Sequence, residues 1–455
     1  MAKIIFVYKG RYFVRDTETI SYLSAIARAA GYRTELVYDE DTFGTTDNVF
    51  YQPLLNKVFS SSEKLAMRIA DGKPSMAVFL VNFNNKSWVE EISRHIKSFY
   101  PEVKIIAVSP LGDKVDGVDA VILGEAEKSF ADFLGVAGRR GDDFLPDKDL
   151  FARYVDFSLS YMVYTSKGCV GNCSYCEETI YKDKFGAGYY RRRSPENVIK
   201  ELQLAKEKYN PREIIFKDSV FALDKNWLKK FLEIYRRQIQ IPYKCFGKAD
   251  VFDEEMAYEL KSGGCYCVEF GVQTLNDKIR REILYRRETV MDIERALAIC
   301  DRYRLTYDLD HMFGLPGETI ADHKEAMRFY YGLKCLNRIK CHNLVVYPHS
   351  EIKKFCPAGS VEDFFSGVAG AEDMKRVNRA FEKIFKVLPL LPGRLVNFLL
   401  KENNWKVFGF IPTVLIILGQ VIIAAKNHDR RFKVYSRMYP KKIWQLAKGL
   451  VSVDG

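Results

Sequence analysis

Along the first third of the chain, short apolar runs alternate with polar stretches of helical periodicity. Residues 4–8, 34–38, 76–83, 104–109 and 120–123 are rich in Val and Ile and read as strands. Residues 17–30 and 88–99 repeat apolar positions at helical spacing. Strands alternating with helices predict a mostly parallel sheet covered on both faces, with ligands outside the carboxyl ends of the strands. A charged turn, Gly138-Arg139-Arg140-Gly141-Asp142-Asp143, and the breaker Pro146-Asp147 mark a linker.

A second alternating series starts at Tyr161. Strands are expected at 162–166, 213–217, 243–248, 267–271, 306–313 and 340–347, and helices at 195–208, 225–238, 254–262, 277–284, 290–303 and 322–331. Six strand–helix units predict a partial (β/α)6 barrel with its working residues at strand carboxyl ends. Past about residue 360 the pattern turns helical, and residues 407–425 are nearly all apolar. The expected organisation is an α/β protein. A doubly wound amino-terminal domain spans 1–137, a linker 138–158, the barrel 159–355 and a helical carboxyl-terminal region 356–455.

Composition narrows the classes. The chain has 455 residues, 47% hydrophobic and 28% charged, with a formal charge of +11. That balance excludes wholesale disorder, a collagen-like repeat and a polytopic membrane protein. A chain of this length buries a large core without disulfides. The ten cysteines therefore need another explanation. None precedes Cys169, and the first residues, Met1-Ala2-Lys3-Ile4-Ile5-Phe6-Val7, read as a strand rather than a signal peptide. A reducing, cytoplasmic setting is expected, with the scattered cysteines acting as small buried apolar residues.

Three cysteines stand apart. Thr165-Ser166-Lys167-Gly168-Cys169-Val170-Gly171-Asn172-Cys173-Ser174-Tyr175-Cys176 has the spacing C-x3-C-x2-C directly after a strand. Three thiolates on one tight loop can hold three irons of a cubane and leave the fourth without a protein ligand. An iron left open is a coordination site for a substrate or cosubstrate, as an open position is in catalytic zinc sites. Gly168 and Gly171 let the backbone wrap closely around such a cluster. A zinc site would want a further Cys or His nearby, and the next His along the chain is His311.

At these residues the chain resembles the radical S-adenosylmethionine (SAM) superfamily. The resemblance implies that Cys169, Cys173 and Cys176 ligate a 4Fe-4S cluster. SAM would chelate the open iron and be cleaved by one electron to a 5′-deoxyadenosyl radical. Tyr175 matches the family's aromatic position near the adenine. Asp218, with Ser219 beside it in Phe216-Lys217-Asp218-Ser219, matches a strand-end position near the methionyl amine; a helix cap is the alternative. Gln273 lies in Glu269-Phe270-Gly271-Val272-Gln273-Thr274, which resembles the family's Gly-Val-Glu/Gln-Ser signature; Glu269 is either part of that site or a buried structural carboxylate. Gly314 and Gly317, in Phe313-Gly314-Leu315-Pro316-Gly317-Glu318-Thr319, match the turn that brings backbone groups to the adenine. Arg286-Arg287 before Thr289 resembles an Arg-x-x-Thr segment, with a solvated basic face as the alternative. Tyr307, Asp308, Asp310 and His311 are candidates for substrate chemistry, or the polar edge of a strand.

An α/β domain ahead of such a barrel resembles the cobalamin-binding subgroup. Asp119-Ala120-Val121-Ile122-Leu123-Gly124-Glu125-Ala126-Glu127 carries that likeness. The Asp-x-His-x-x-Gly motif that supplies an axial His is absent, and His95 reads as a surface residue. The implied cofactors are the cluster, SAM and, with that reservation, cobalamin. The implied activity is radical methylation, or a related modification, of a hydrophobic small molecule. The implied electron donor is of the flavodoxin or ferredoxin kind. Two other readings stay open: a radical SAM enzyme without cobalamin, such as an anaerobic cyclase or a methylthiotransferase-like enzyme, and a non-enzymatic membrane-associated iron–sulfur protein.

Residues 407–425 approach the length of a membrane span, though Pro412, Gly419 and Gln420 interrupt it. Between Lys426 and Lys448 eight Lys/Arg face one acid, Asp429. Buried helix, interfacial segment and span are all compatible with this, and the basic run fits a peripheral membrane contact better than nucleic acid.

Overall fold

A computed structural model describes residues 1–11, 18–41, 61–82, 85–112, 114–136, 144–356 and 372–427, with residues 429, 440 and 444. The charged turn 138–143 and most of the basic run after Lys426 lie outside these residues. The chain divides into two compact units, Met1–Phe157 with Tyr181–Tyr189, and Ser158–Ile180 with Tyr190–Gly455.

The first unit holds β1 (Lys3–Arg11), α1 (Glu18–Ala29), β2 (Arg33–Asp41), α2 (Ser62–Asp71), β3 (Met76–Leu80), α3 (Lys86–Phe99), β4 (Lys104–Ser109), β5 (Ala120–Leu123) and α4 (Ala126–Phe133). Its five strands are parallel in the order β2-β1-β3-β4-β5. This is the doubly wound order whose switch point lies between β1 and β3. The central strands β1, β3 and β4 are apolar on both sides because helices cover both sides. Ile5, Val7, Phe79, Ile105 and Ala107 pack against Leu65 and Ile69 of α2 and Val89, Ile92 and Ile96 of α3. On the other face Phe6 meets Phe130 of α4 edge-on, ring centroids 6.0 Å apart. Helix α2 carried no clear sequence signal. It starts where Ser61 accepts a hydrogen bond from Lys64 N.

The second unit holds β6 (Tyr161–Val163), β7 (Ser166–Lys167), α5 (Glu177–Phe185, which reaches into the first unit's residues), β8 (Arg191–Arg192), α6 (Pro195–Tyr209), β9 (Ile214–Phe216), α7 (Lys225–Gln238), β10 (Tyr243–Gly247), α8 (Glu254–Ser262), β11 (Cys265–Gln273), α9 (Val290–Arg302), β12 (Tyr307–Phe313), α10 (Ile320–Tyr331) and β13 (Leu336–Asn343). Six strands form one parallel sheet, β13-β12-β11-β10-β9-β6. Every neighbour pair is sequential except β9-β6, which the β7-β8 ribbon interrupts.

The period-two alternation of these strands sorts their side chains into two unlike sets. On the helix-covered face Phe216, Tyr243, Cys245, Val268, Phe270, Leu309 and Phe313 are buried among apolar residues. Phe216 touches Phe231 and Tyr235 of α7, with centroids 5.4 and 6.0 Å away. The register puts Lys244, Phe246, Glu269, Asp308, Asp310, Arg338 and Lys340 together on the opposite, concave face. That face is charged.

The charged interior accounts for one displaced element. The sixth strand spans 336–343, not 340–347. Its inward positions are Arg338, Lys340 and His342, so it lacks the apolar look that 344–347 has. The helix expected over 277–284 is a single π-turn, Ile279–Ile283.

The carboxyl-terminal region contains α11 (Glu372–Val387), α12 (Gly393–Leu400), a 3-10 turn at Asn404–Phe410 and α13 (Thr413–Lys426). The apolar run 407–425 is thus broken at Pro412, and its two parts are bent by 100°. Among the described residues no single helix is long and apolar enough to cross a membrane. Gly419 lets α13 seat on α11; a Cβ there would stand 2.7 Å from Val387 Cγ1. The single acid of the basic run, Asp429, is buried and pairs with Arg338 at 2.7 Å.

Candidate active site

The two-residue β7 pairs antiparallel with β8 and launches the cysteine loop. Gly168, at φ +83°, turns the chain where an L residue would be strained. Gly171 N donates to Cys169 Sγ at 3.3 Å. A Cβ on Gly171 would lie 3.5 Å from Cys169 Sγ and 3.9 Å from Cys173 Sγ, so both sulfurs flank a residue without a side chain. Cys176 N and Thr179 Oγ1 both donate to Cys173 O, at 3.2 and 2.9 Å, and close the loop onto α5. Ser174 fastens it to the barrel. Its N donates to Leu284 O at 3.1 Å, its Oγ to Ile283 O at 2.5 Å, and its O accepts from Ile352 N at 2.9 Å.

The three cysteines are half-buried and in no disulfide. Burial, then the neighbouring Cys173 charge, pushes the Cys176 thiol up to about 12. Thiolates this close repel unless a cation neutralises them, and coordination to a metal deprotonates a thiol outright. The donor set fits a cluster held by three thiolates.

Residues 163–330 match the family model for the Radical SAM superfamily. The match spans the barrel and the cysteine loop, and so places a radical SAM domain there. The family implies a 4Fe-4S cluster and SAM. An uncharacterized methyltransferase of Pyrococcus horikoshii is 29% identical over 188 residues, which cover 41% of this chain and 39% of that protein. The chain is therefore matched over well under half the length of that curated relative. In fold it resembles the radical SAM methyltransferase TsrM from Kitasatospora setae (TM-score 0.59, 15% identity, 77% of this chain and 75% of that one). It also resembles the cobalamin-dependent SAM radical enzyme OxsB (TM-score 0.59, 12% identity, 99% and 81%).

Around the loop the radical SAM barrel gathers most of the residues expected from the sequence. Tyr175 packs beside Leu315, Met312 and Ile352 in one apolar cluster, which brings the cysteine loop against the turn after β12. Its hydroxyl accepts from Arg286 Nη1 at 2.8 Å. Arg286 also donates to Gly271 O at 2.6 Å and pairs with Glu288. The solvated basic face therefore describes only Arg287, which is exposed. Gln273 stands at φ +66°, in the left-handed region, where β11 shifts register against β12. Its Nε2 lies 2.9 Å from where a Gly271 Cβ would be, so the amide folds back over Gly271. Such strain persists only where surroundings hold it. Here Arg280, fully buried, donates to Val272 O and Thr274 O on either side of Gln273 and to Glu288 O at 3.0 Å.

Asp218 is buried at the end of β9. Its Oδ1 accepts from Thr165 N at 3.0 Å, Thr165 Oγ1 at 2.8 Å and Ser166 Oγ at 2.5 Å. It braces the strand that leads into the cysteine loop. It is not a helix cap, since Asp224 caps α7. Ser219 is exposed and takes no part in these hydrogen bonds. Gly314 and Gly317 both have positive φ, +79° and +76°. Gly314 N and Leu315 N donate to Glu318 Oε2, which ties the turn from inside.

Glu269 sits inside the barrel, paired with Lys244 and, at 2.5 Å, with Lys340. Lys244 also binds Asp308 at 2.7 Å. Burial works to raise the Glu269 carboxyl, but the Lys244 and Lys340 ammoniums hold it well below its usual range. Asp310 faces the same interior, whereas Tyr307 and His311 point out under the helices, bonded to Asp301 and Tyr330.

Asp218 Oδ2 and Gln273 Oε1 are buried acceptors without a hydrogen bond, whereas Asp310 Oδ1 faces His342 Nε2 at 3.7 Å. Asp218 and Gln273 lie at strand carboxyl ends. A ligand rich in donors, such as an ammonium or ribose hydroxyls, matches such a set. Sequence reasoning missed Arg280 and Glu288, whose role appears only when the π-turn folds back on β11.

In the first unit Asp119 accepts from Ile105 N at 2.7 Å and from Lys97 at 2.9 Å, a structural brace. Gly124 follows β5 at φ +105°, and a Cβ there would meet Ser129 Oγ at 2.6 Å. His95 lies half-exposed on α3.

Proposed function

We propose that the chain is a radical SAM enzyme that methylates a small molecule with the help of cobalamin. The observation that carries the radical half is the three-thiol loop fastened at the barrel mouth, within the family match. Bound there, a 4Fe-4S cluster with SAM supplies one-electron cleavage of the cosubstrate and hydrogen abstraction. The chain's own residues have distinct tasks. Cys169, Cys173 and Cys176 hold three metal positions. Tyr175, fixed by Arg286, and the Gly314–Gly317 turn form one wall of the SAM site. Asp218 Oδ2 and Gln273 Oε1 receive its donor groups. Glu269 acts through the lumen rather than on SAM, because two lysines already engage it.

The cobalamin half is supported by the parallel 2-1-3-4-5 unit and the bare backbone at Gly124 on its carboxyl edge. Structures of TsrM and OxsB of like fold hold cobalamin. The substrate enters the charged lumen, so it carries polar groups; a purely hydrophobic substrate gains no support from Lys244, Glu269, Asp308 and Lys340. An external one-electron reductant of the flavodoxin or ferredoxin kind is required. Peripheral membrane contact would use Phe410, Val414, Leu415, Leu418 and Ile422, all more than half exposed.

Anaerobic reconstitution tests both halves. Wild type should show cluster absorption, bind a corrinoid and release 5′-deoxyadenosine from SAM. If Cys169→Ala still releases it reductively, the radical reading is wrong. If wild type cleaves SAM yet retains no corrinoid, the methylation reading falls and the radical one stands.

A further inference from the structure

Outside the lumen, three buried side chains each keep one polar atom without a partner. They are His311 on β12, Glu318 in the following turn and His323 on α10; the atoms are His311 Nε2, Glu318 Oε1 and His323 Nδ1. The three residues place one ligand-capable atom each within 4.8 Å of the others. His323 Nδ1 and Glu318 Oε1 are 3.8 Å apart. We propose that His311, Glu318 and His323 form a divalent-cation site, of the zinc class, that pins the turn after β12 to α10.

Each donor's second atom is already held. His311 Nδ1 meets Tyr330 Oη at 2.9 Å. His323 Nε2 meets Asn378 Oδ1 of α11 at 2.9 Å. Glu318 Oε2 accepts from Gly314 N at 3.1 Å and Leu315 N at 3.4 Å. Asn378 Oδ1 can only accept, so His323 Nε2 carries the proton and Nδ1 carries the lone pair. Glu318 Oε1 is a second lone-pair donor facing it. Metal-binding imidazoles are oriented in this way, with the far nitrogen fixed by an oxygen partner.

The spacing also argues for a cation over a proton. A shared proton needs heavy atoms about 2.5–3.0 Å apart. A tetrahedral shell with bonds of about 2.0–2.2 Å sets its ligand atoms roughly 3.3–3.6 Å apart. The observed 3.8 Å lies nearer the second figure. Two imidazoles and one carboxylate are a donor set zinc accepts. The surroundings are aromatic. Phe313 and Phe385 lie 4.8 Å from the His311 ring, and Phe381 lies 5.0 Å from that of His323. Three protein donors leave a tetrahedral cation one further position, open to water. The site is separate from the cysteine loop, so it stands whether or not the proposed function does.

The test is metal counting on full-length protein whose cysteine loop is filled by its reconstituted cluster. After equilibration with zinc and removal of the excess, zinc and iron are measured together. One zinc per chain is expected in wild type and none in Glu318→Gln, which keeps an acceptor for Gly314 N and Leu315 N. Asn378→Ala leaves all three donors in place and should weaken zinc by about 10–100-fold. Cobalt(II) as a probe should give d–d bands without thiolate charge transfer. Zinc should raise the wild-type melting temperature and leave that of Glu318→Gln unchanged. Wild type that binds no zinc beyond the cluster, or equal zinc in wild type and Glu318→Gln, overturns the proposal. If Glu318→Gln does not fold, unchanged affinity in Asn378→Ala does so.

Discussion

Replacing Lys244 by Met tests whether the barrel interior is held by paired charge. Lys244 is 2% exposed and bridges Glu269 and Asp308. Methionine matches the length of its stem but not its charge. Removing one partner of a buried pair costs about 3–5 kcal/mol. The lower end applies here, because Lys340 still reaches Glu269 at 2.5 Å and Asn337 Nδ2 still donates to Asp308 at 2.7 Å. A loss of about 3 kcal/mol lowers the melting temperature of a body this size by about 5 °C.

The pH dependence has a definite sign. Burial raises the Glu269 carboxyl, but Lys244 and then Lys340 outweigh it and hold the group well below its usual range. A depressed carboxyl stabilises the fold above its unfolded value of about 4.3 and loses that stabilisation as pH falls through the folded value. Without Lys244 much of that contribution is missing at pH 7.5. The gap between variant and wild type should therefore narrow toward pH 4.5, where the variant's carboxyls take up protons. Adding Glu269→Gln to Lys244→Met should recover at least about 1 kcal/mol, the coupling expected of residues in contact. Thermal unfolding of the three proteins at pH 7.5 and 4.5 reads all of this. Equal melting temperatures for wild type and Lys244→Met at pH 7.5, or a gap independent of pH, would refute the paired-charge account.

Gly271→Ala should displace the Gln273 amide, which a Cβ would approach to 2.9 Å; SAM binding by calorimetry should weaken about tenfold, on the order of one lost hydrogen bond, with little change in melting temperature. Asp218→Ala removes the acceptor of Thr165 N, Thr165 Oγ1 and Ser166 Oγ; chemical unfolding should show a loss of about 3 kcal/mol, and Asp218→Asn should restore part of it. Gly419→Ala forces α13 off Val387 and should cost about 1–3 kcal/mol in the same assay.

The sequence was most readable where burial and period agreed. β4 and β5 are apolar on both sides and match their expected limits to the residue, as do α7 and α8. The cysteine loop was readable because its spacing is local. Legibility failed where the inside of the fold is polar. β13 presents Arg338, Lys340 and His342 inward, so its apolar content is low and the apolar 344–347 drew the assignment downstream. The run 407–425 misled in the other direction. Its apolar length suggests one long helix, yet Pro412 lacks an N–H and divides it. The role of Arg280 had no sequence signal, because its partners Val272 O and Thr274 O are backbone atoms that any residues would supply.

The same polar interior separates groups that build the barrel from groups that can serve a ligand. Lys244, Glu269 and Asp308 are buried charges and Lys340 is half-buried beside them, yet each is engaged across neighbouring strands. A buried charge already paired gains little from a ligand and would lose its partner by turning to one. A buried acceptor without a hydrogen bond is in the opposite position, because its desolvation cost is still uncompensated and a ligand donor recovers it. Asp218 Oδ2 and Gln273 Oε1 belong to this second kind. Both are acceptors, so a group that satisfies them must bring donors. Under the proposed function, the ammonium and ribose hydroxyls of SAM are donors of that kind, and Asp218 and Gln273 are where they would be received.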